Sequence, residues 1–153
     1  MSEENKENQE KTAKPAEANV TINSQYVKDL SLEIPGAPEI FKEMSPNPKV
    51  SIQIDVNSRH LEGNFYNSSL KLLLEGDMDG KKLFVLELEY CAVVGLNLPQ
   101  EHIEPVLSIE IPRMIFPFAR SIVTNNLVDA GLPPFMISPI DFAALYQARK
   151  KAQ

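Results

Sequence analysis

Few residues in this chain could do chemistry. There are two histidines. His60 and His102 lie far apart and without the spacing of metal ligands. Neither has a serine in a nucleophile-elbow context, so a Ser–His–acid arrangement has no starting point. His102 sits in the polar run Gln-Glu-His-Ile and reads as a solvated histidine. The one cysteine, Cys91, stands between Tyr90 and Ala92 in an apolar run, the setting of a buried structural thiol. Gly76 and Gly80 are the only clustered glycines and form too short a segment to cradle a phosphate. Glu87 and Glu89 alternate onto one strand face, where exposed carboxylates have no cause for a raised pKa and general-acid work. The expectation is a protein that is not an enzyme and that holds no metal and no cofactor.

What remains are two constellations suited to binding. The first is acidic: Asp29 and Glu33 on one strand, Glu87 and Glu89 on another, around Val85. If those strands are neighbours they make one negative patch. The bland reading is the wet face of an antiparallel sheet, which is expected to be polar. The second is apolar: Phe41 and Met44 in a proline-rich loop, Phe135 and Met136 in a proline-rich linker, Phe142 and Tyr146 on a last helix. Prolines hold such segments extended, and aromatic and methionine side chains adapt to varied partners. The bland reading is that they seal a core or an interface between copies.

The elements that must position these residues follow from periodicity. Residues 1–19 are Glu, Lys, Asn and Gln with little to bury and read as a disordered tail before one domain at 20–153. A strand is predicted over 20–34, with Leu30, Leu32 and Ile34 alternating against Asp29, Ser31 and Glu33. A loop with several prolines covers 35–49. Strand two, 50–56, alternates Val50, Ile52, Ile54 and Val56 with Ser51, Gln53 and Asp55. A polar loop at 57–64 precedes strand three, 65–75, with Tyr66, Leu70, Leu72 and Leu74 on one side. Residues 76–80 make a hairpin turn. Strand four, 82–94, sets Phe84, Leu86, Leu88 and Tyr90 against Val85, Glu87 and Glu89. A loop over 95–105 follows. A helix lies within 113–130, closed by Gly131, with Pro117 at its start or at a kink. Its apolar residues, Ile115, Phe118, Ala119, Ile122, Val123 and Leu127, cover a wider surface than one sheet face needs. A linker over 132–139 leads to a last helix opened at Pro139 or Asp141 and closed by Arg149, Lys150 and Lys151. Four strands and then two helices imply an α+β fold, an antiparallel sheet covered on one face.

The chain has 153 residues, 43% of them hydrophobic, and a net charge of −6. That balance argues against nucleic acid, which needs a positive footprint. One cysteine fits a reducing compartment. No apolar run approaches the ~20 residues that span a bilayer, and the N-terminus has no apolar core of a secretory signal. A cytoplasmic protein without membrane insertion is expected.

Four blocks also resemble the SecB family of bacterial export chaperones: KDLSLEIPGAP at 28–38, LELEYCAVVGLNLP at 86–99, IPRMIFPFAR at 111–120 and GLPPFMISPIDFAALY at 131–146. They run in family order over about residues 20–150. The resemblance implies a homotetramer, a dimer of dimers, that binds unfolded preproteins without ATP and passes them to the SecA motor. It implies SecA docking through Asp29, Glu33, Val85 and Glu87. It implies a client groove between the proline loop and the last helix, carried onto Phe41, Met44, Phe84, Phe135, Phe142 and Tyr146. It places the first helix between dimers, which would account for the wide surface formed by Ile115, Phe118, Ile122, Val123 and Leu127. Ile111 stands where many members have cysteine. The chain ends at Gln153, where some relatives carry a longer tail that contacts the zinc-bearing end of SecA. A SecB-like chaperone dedicated to one client, such as an antitoxin, is the alternative.

Overall fold

The computed structural model describes residues 17–153; the tail expected before residue 17 lies outside them. Four strands, β1 (Asn19–Glu33), β2 (Lys49–His60), β3 (Phe65–Met78) and β4 (Lys81–Asn97), form one antiparallel sheet in the order β1-β4-β3-β2. The long chain path from β1 to β2 carries the proline segment and a 3₁₀ turn at Glu39–Lys42. It takes β2 to the far side of the sheet, so β1 and β2 are the two edges.

Alternation places the side chains. Leu70, Leu72 and Leu74 of β3 and Phe84, Leu86 and Leu88 of β4 are all buried on one face. The other face is wet, with polar and charged residues at alternate positions. β1 holds its register by two irregularities, at Asn23 and Lys28. Each extra residue flips the parity of the strand. Val20 and Ile22, then Val27, then Leu30 and Leu32 are thereby all opposite core-facing positions of β4. The β3–β4 turn is tighter than the expected five residues. Asp79 and Gly80, with φ of 50° and 77°, make a two-residue turn, which needs positive φ at both positions. Gly76 is instead a strand residue opposite Phe84, whose ring lies where a Cβ would stand.

The expected loop over 95–105 is largely helical. β4 continues to Asn97, and α1 (Gln100–Pro105) begins after Pro99. A π-helical segment, Val106–Glu110, joins α1 to α2 (Ile111–Asp129). Proline at 105, 112 and 117 disguised this helix in the sequence. Pro112 cannot donate to the carbonyl four residues back, and its ring crowds that turn. The wide turn accommodates it: the Ile111 N–H reaches the Val106 carbonyl, five residues back. Pro105 falls in the first turns, where it deprives the helix of little.

α2 lies across β3 and β4 and buries Ile111, Ile115, Phe116, Ala119, Val123 and Leu127 against the leucine face. It ends as expected at Gly131, φ 83°. The N–H of Leu132 bonds to the Leu127 carbonyl and that of Gly131 to Val128, both 3.0 Å. This Schellman closure also brings buried Leu132 back onto Leu127. α3 (Phe142–Lys151) is opened by Asp141, whose carboxylate accepts from the Ala144 N–H at 3.0 Å.

Candidate functional site: two faces of one sheet

The acidic constellation assembles. The β1–β4 register sets Asp29 opposite Glu89, Ser31 opposite Glu87 and Glu33 opposite Val85. Asp29, Glu33, Val85 and Glu87 therefore share the wet face. Lys71, Leu73 and Glu75 of β3 lie beside them, with Gln53 and Asp55 of β2 beyond. A shallow concavity of about 420 Å³ spans all four strands, bordered by Asp29, Asp55, Lys71, Leu73, Glu87 and Glu89.

The acids on this face are not equivalent. Glu89 accepts from Ser69 Oγ at 2.8 Å and lies 3.9 Å from Lys28 Nζ. Glu75 and Asp77 share Lys82, at 2.8 and 3.1 Å. Those two hydrogen bonds hold the Lys82 ammonium above its ordinary pKa. Among the described residues, Asp29, Glu33 and Glu87 have no ion-pair partner. They form the uncompensated part of the patch, with half-buried Val85 as its apolar contact. Cys91 also points to this side, but it is fully buried opposite Tyr26, whose hydroxyl donates to Asn67 Oδ1 at 2.6 Å.

The apolar constellation divides. Phe84 and Phe142 are 2% and 1% exposed, which corrects their expected place in an open groove. Phe84 fills the space above Gly76, and Phe142 packs edge-on against Phe116, ring centres 5.9 Å apart. Phe142, the first residue of α3, anchors that helix on the core. Tyr146 is also largely buried, with Lys150 Nζ 4.9 Å over its ring. Phe41 is exposed and its ring edge reaches Gly131 at the end of α2. Met44 and Phe135 are half-buried against the core. The proline segment and the last helix border different concavities. One of about 610 Å³ lies between Pro35, Ile40 and Met78. One of about 390 Å³ lies between β2 and α3, lined by Ile54, Val56, Ser108, Leu145, Tyr146 and Arg149. Ile54, Val56, Leu145 and Arg149 were not singled out from the sequence. The signal available was the alternation of β2, which says that one face is apolar but not that the strand is an edge.

The helix surface expected to pack between copies divides as well. Ile115, Val123 and Leu127 are fully buried against this chain's own sheet, and Ile122 is half-buried. Of the five residues only Phe118 is exposed, at 53%, with Met114 and Val128 on the same outer side. Every third or fourth residue of the apolar run faces inward, and the sequence did not say which stripe was outermost. β1 adds exposed Val20, Val27 and Leu30 on the leucine face, at the edge beyond β4.

The structure is thus a four-stranded antiparallel sheet with one face packed by helices and the other acidic and open, a fold that presents two different surfaces. The SecB family model, described as preprotein translocase subunit SecB, matches residues 12–153. The chain belongs to the SecB family. It is 49% identical to the protein-export protein SecB of Rhodospirillum rubrum, over 94% of this chain and 91% of that one. It is 54% identical to that of Paramagnetospirillum magneticum, over 84% and 83%. The fold is also that of a SecB-like chaperone of Mycobacterium tuberculosis solved with a peptide from an antitoxin. The TM-score is 0.67 at 11% identity, covering 79% of this chain and 90% of that one. Among the described residues no helix is long and apolar enough to cross a membrane.

Proposed function

We propose that this chain is a non-enzymatic export chaperone of the cytosol. Its residues 20–153 act as one domain that binds unfolded preproteins without nucleotide and delivers them to SecA. The observation that carries the reading is the pairing of two surfaces on opposite faces of one sheet, in a chain of the SecB family. The apolar side, between β2 and α3, suits unfolded chains, which expose apolar side chains and free backbone. The acidic side, with Asp29, Glu33 and Glu87 around Val85 and without ion-pair partners among the described residues, suits a folded, basic docking partner, for which SecA is the candidate. A client and SecA can then be held together and exchanged.

The working form is a homotetramer, a dimer of dimers. Exposed Met114, Phe118 and Val128 on α2 and Val20, Val27 and Leu30 on β1 support it, since apolar surface of this kind is ordinarily covered. Four copies also give avidity from modest local affinities. A SecB-like chaperone dedicated to one client, such as an antitoxin, is the second reading, suggested by the SecB-like chaperone solved in complex with an antitoxin peptide. The uncompensated acids favour the export role. Light scattering on a sizing column, with and without an unfolded preprotein, tests the proposal. A particle near four times 17.1 kDa that captures the client without nucleotide supports it. A monomer that ignores unfolded protein overturns it.

A further inference from the structure

β2 is an edge strand, so one row of its backbone groups has no strand beside it. In an antiparallel strand a residue turns its N–H and C=O to the same side. The Val56 carbonyl accepts from Arg149 Nη1 of α3, which identifies Val56 as outward-facing. β2 pairs with β3 without a register shift, so Ile54, Ile52 and Val50 face outward with it. Arg149 is anchored at this row by more than one contact. Its Nη2 is 3.4 Å from Asn57 Oδ1, and its Nη1 is 4.0 Å from an Asp55 carboxylate oxygen. Two concavities meet at it. The one of about 390 Å³ runs toward Ile54 and Leu145, and one of about 200 Å³ runs toward Ser58 and Gln153. Both are bordered by Val56, Ser108, Tyr146 and Arg149. The guanidinium thus stands as a partition across a single groove that follows the free edge.

We propose that Arg149 is a displaceable cap on the edge of β2. It occupies the backbone acceptor that an extended, unfolded polypeptide would use to add itself to the sheet. The proposal rests on the chaperone reading above and concerns how that same surface is regulated. The occupant is an extended chain because the row offers main-chain donors and acceptors to any sequence, with apolar Ile54 and Val56 beside it. An uncapped apolar edge would also pair with other copies of itself. A cap makes the edge selective for a segment that brings several hydrogen bonds at once. Displacement is easy, because the Arg149 side chain is 53% exposed and its charge stays hydrated when it swings away.

The test uses the full chain, an extended apolar peptide of about ten residues, and the same peptide N-methylated at every second amide. Arg149→Met keeps the stem and removes the donors. We expect it to bind the plain peptide roughly 3- to 10-fold more tightly than the wild type, the size of one hydrogen bond no longer displaced. The methylated peptide should show no such gain, and Arg149→Lys should fall between. Circular dichroism confirms that each variant is folded. A wild type that binds while Arg149→Met gains nothing, or gains equally for both peptides, overturns the cap and leaves the chaperone reading standing. A wild type that ignores the plain peptide as well as unfolded preproteins overturns that reading itself.

Discussion

At the scale of single residues, the wet sheet face is decided by which acids lack partners. Glu89 is held by Ser69 and Lys28, whereas Glu87 is exposed and free of ion pairs among the described residues. Glu87→Lys should therefore abolish SecA binding, measured by calorimetry, while leaving the mass of the assembly and aggregation suppression unchanged. Loss of all three together would mark the residue as structural. Tyr90 gives a pH prediction. Burial pushes its phenol above the ordinary 10.0, and its hydroxyl donates to Gln25 Oε1 at 3.1 Å. A pKa raised in the folded state contributes stability that is complete below about 10, the unfolded value, and is lost as pH rises through the folded value. Denaturation midpoints should fall in that alkaline window, together with a late tyrosinate step in ultraviolet absorbance. Tyr90→Phe should shrink that step, leaving the part due to Tyr26, whose phenol burial also raises.

At the scale of elements, the strands were legible because period two holds along β2, most of β3 and β4, and the second half of β1, whereas the helical segment after β4 was only half legible. Proline disfavours a helix interior, so the sequence reading leaves Pro105 in a loop and puts Pro117 at a helix start or a kink. Here Pro105 falls in an early turn and the π turn accommodates Pro112, while Pro117 sits inside α2 itself. Two elements make quantitative predictions. Asp141→Ala removes the cap of α3 and should lower stability by about 1 kcal/mol, with faster hydrogen exchange confined to the amides of 142–146. Gly76→Ala places a methyl where the Phe84 ring lies. It should destabilise by about 1–3 kcal/mol in urea unfolding, against almost nothing for a substitution at exposed Ala148.

At the scale of the whole molecule, the two sides of α2 predict opposite phenotypes. Leu127→Ala empties a fully buried site and should cost about 2–5 kcal/mol without changing the mass of what stays folded. Phe118→Asp on the outer side should leave the melting of the secondary structure close to normal and reduce the particle mass in light scattering. If Phe118→Asp kept the full mass, the exposed stripe of α2 would not be the contact between copies. The sequence by itself determined the class of fold and the wet and dry faces of β2, β3, β4 and the second half of β1. These follow from local periodicity and residue type, and family blocks at the right spacing reinforced them. It also offered Asp29, Glu33, Glu87 and Glu89 around Val85 as one patch if their strands were neighbours, and the family resemblance pointed to Asp29, Glu33, Val85 and Glu87. Only the tertiary structure decided that Phe84, Phe142, Ile115, Val123 and Leu127 belong to the core and that Phe118 does not. Only it made β2 an edge capped by Arg149. An apolar side chain looks the same in sequence whether it is buried by its own chain or left for a partner. That difference depends on which strand lies outermost and which stripe of a helix turns inward, and both are fixed by contacts between residues far apart in the chain.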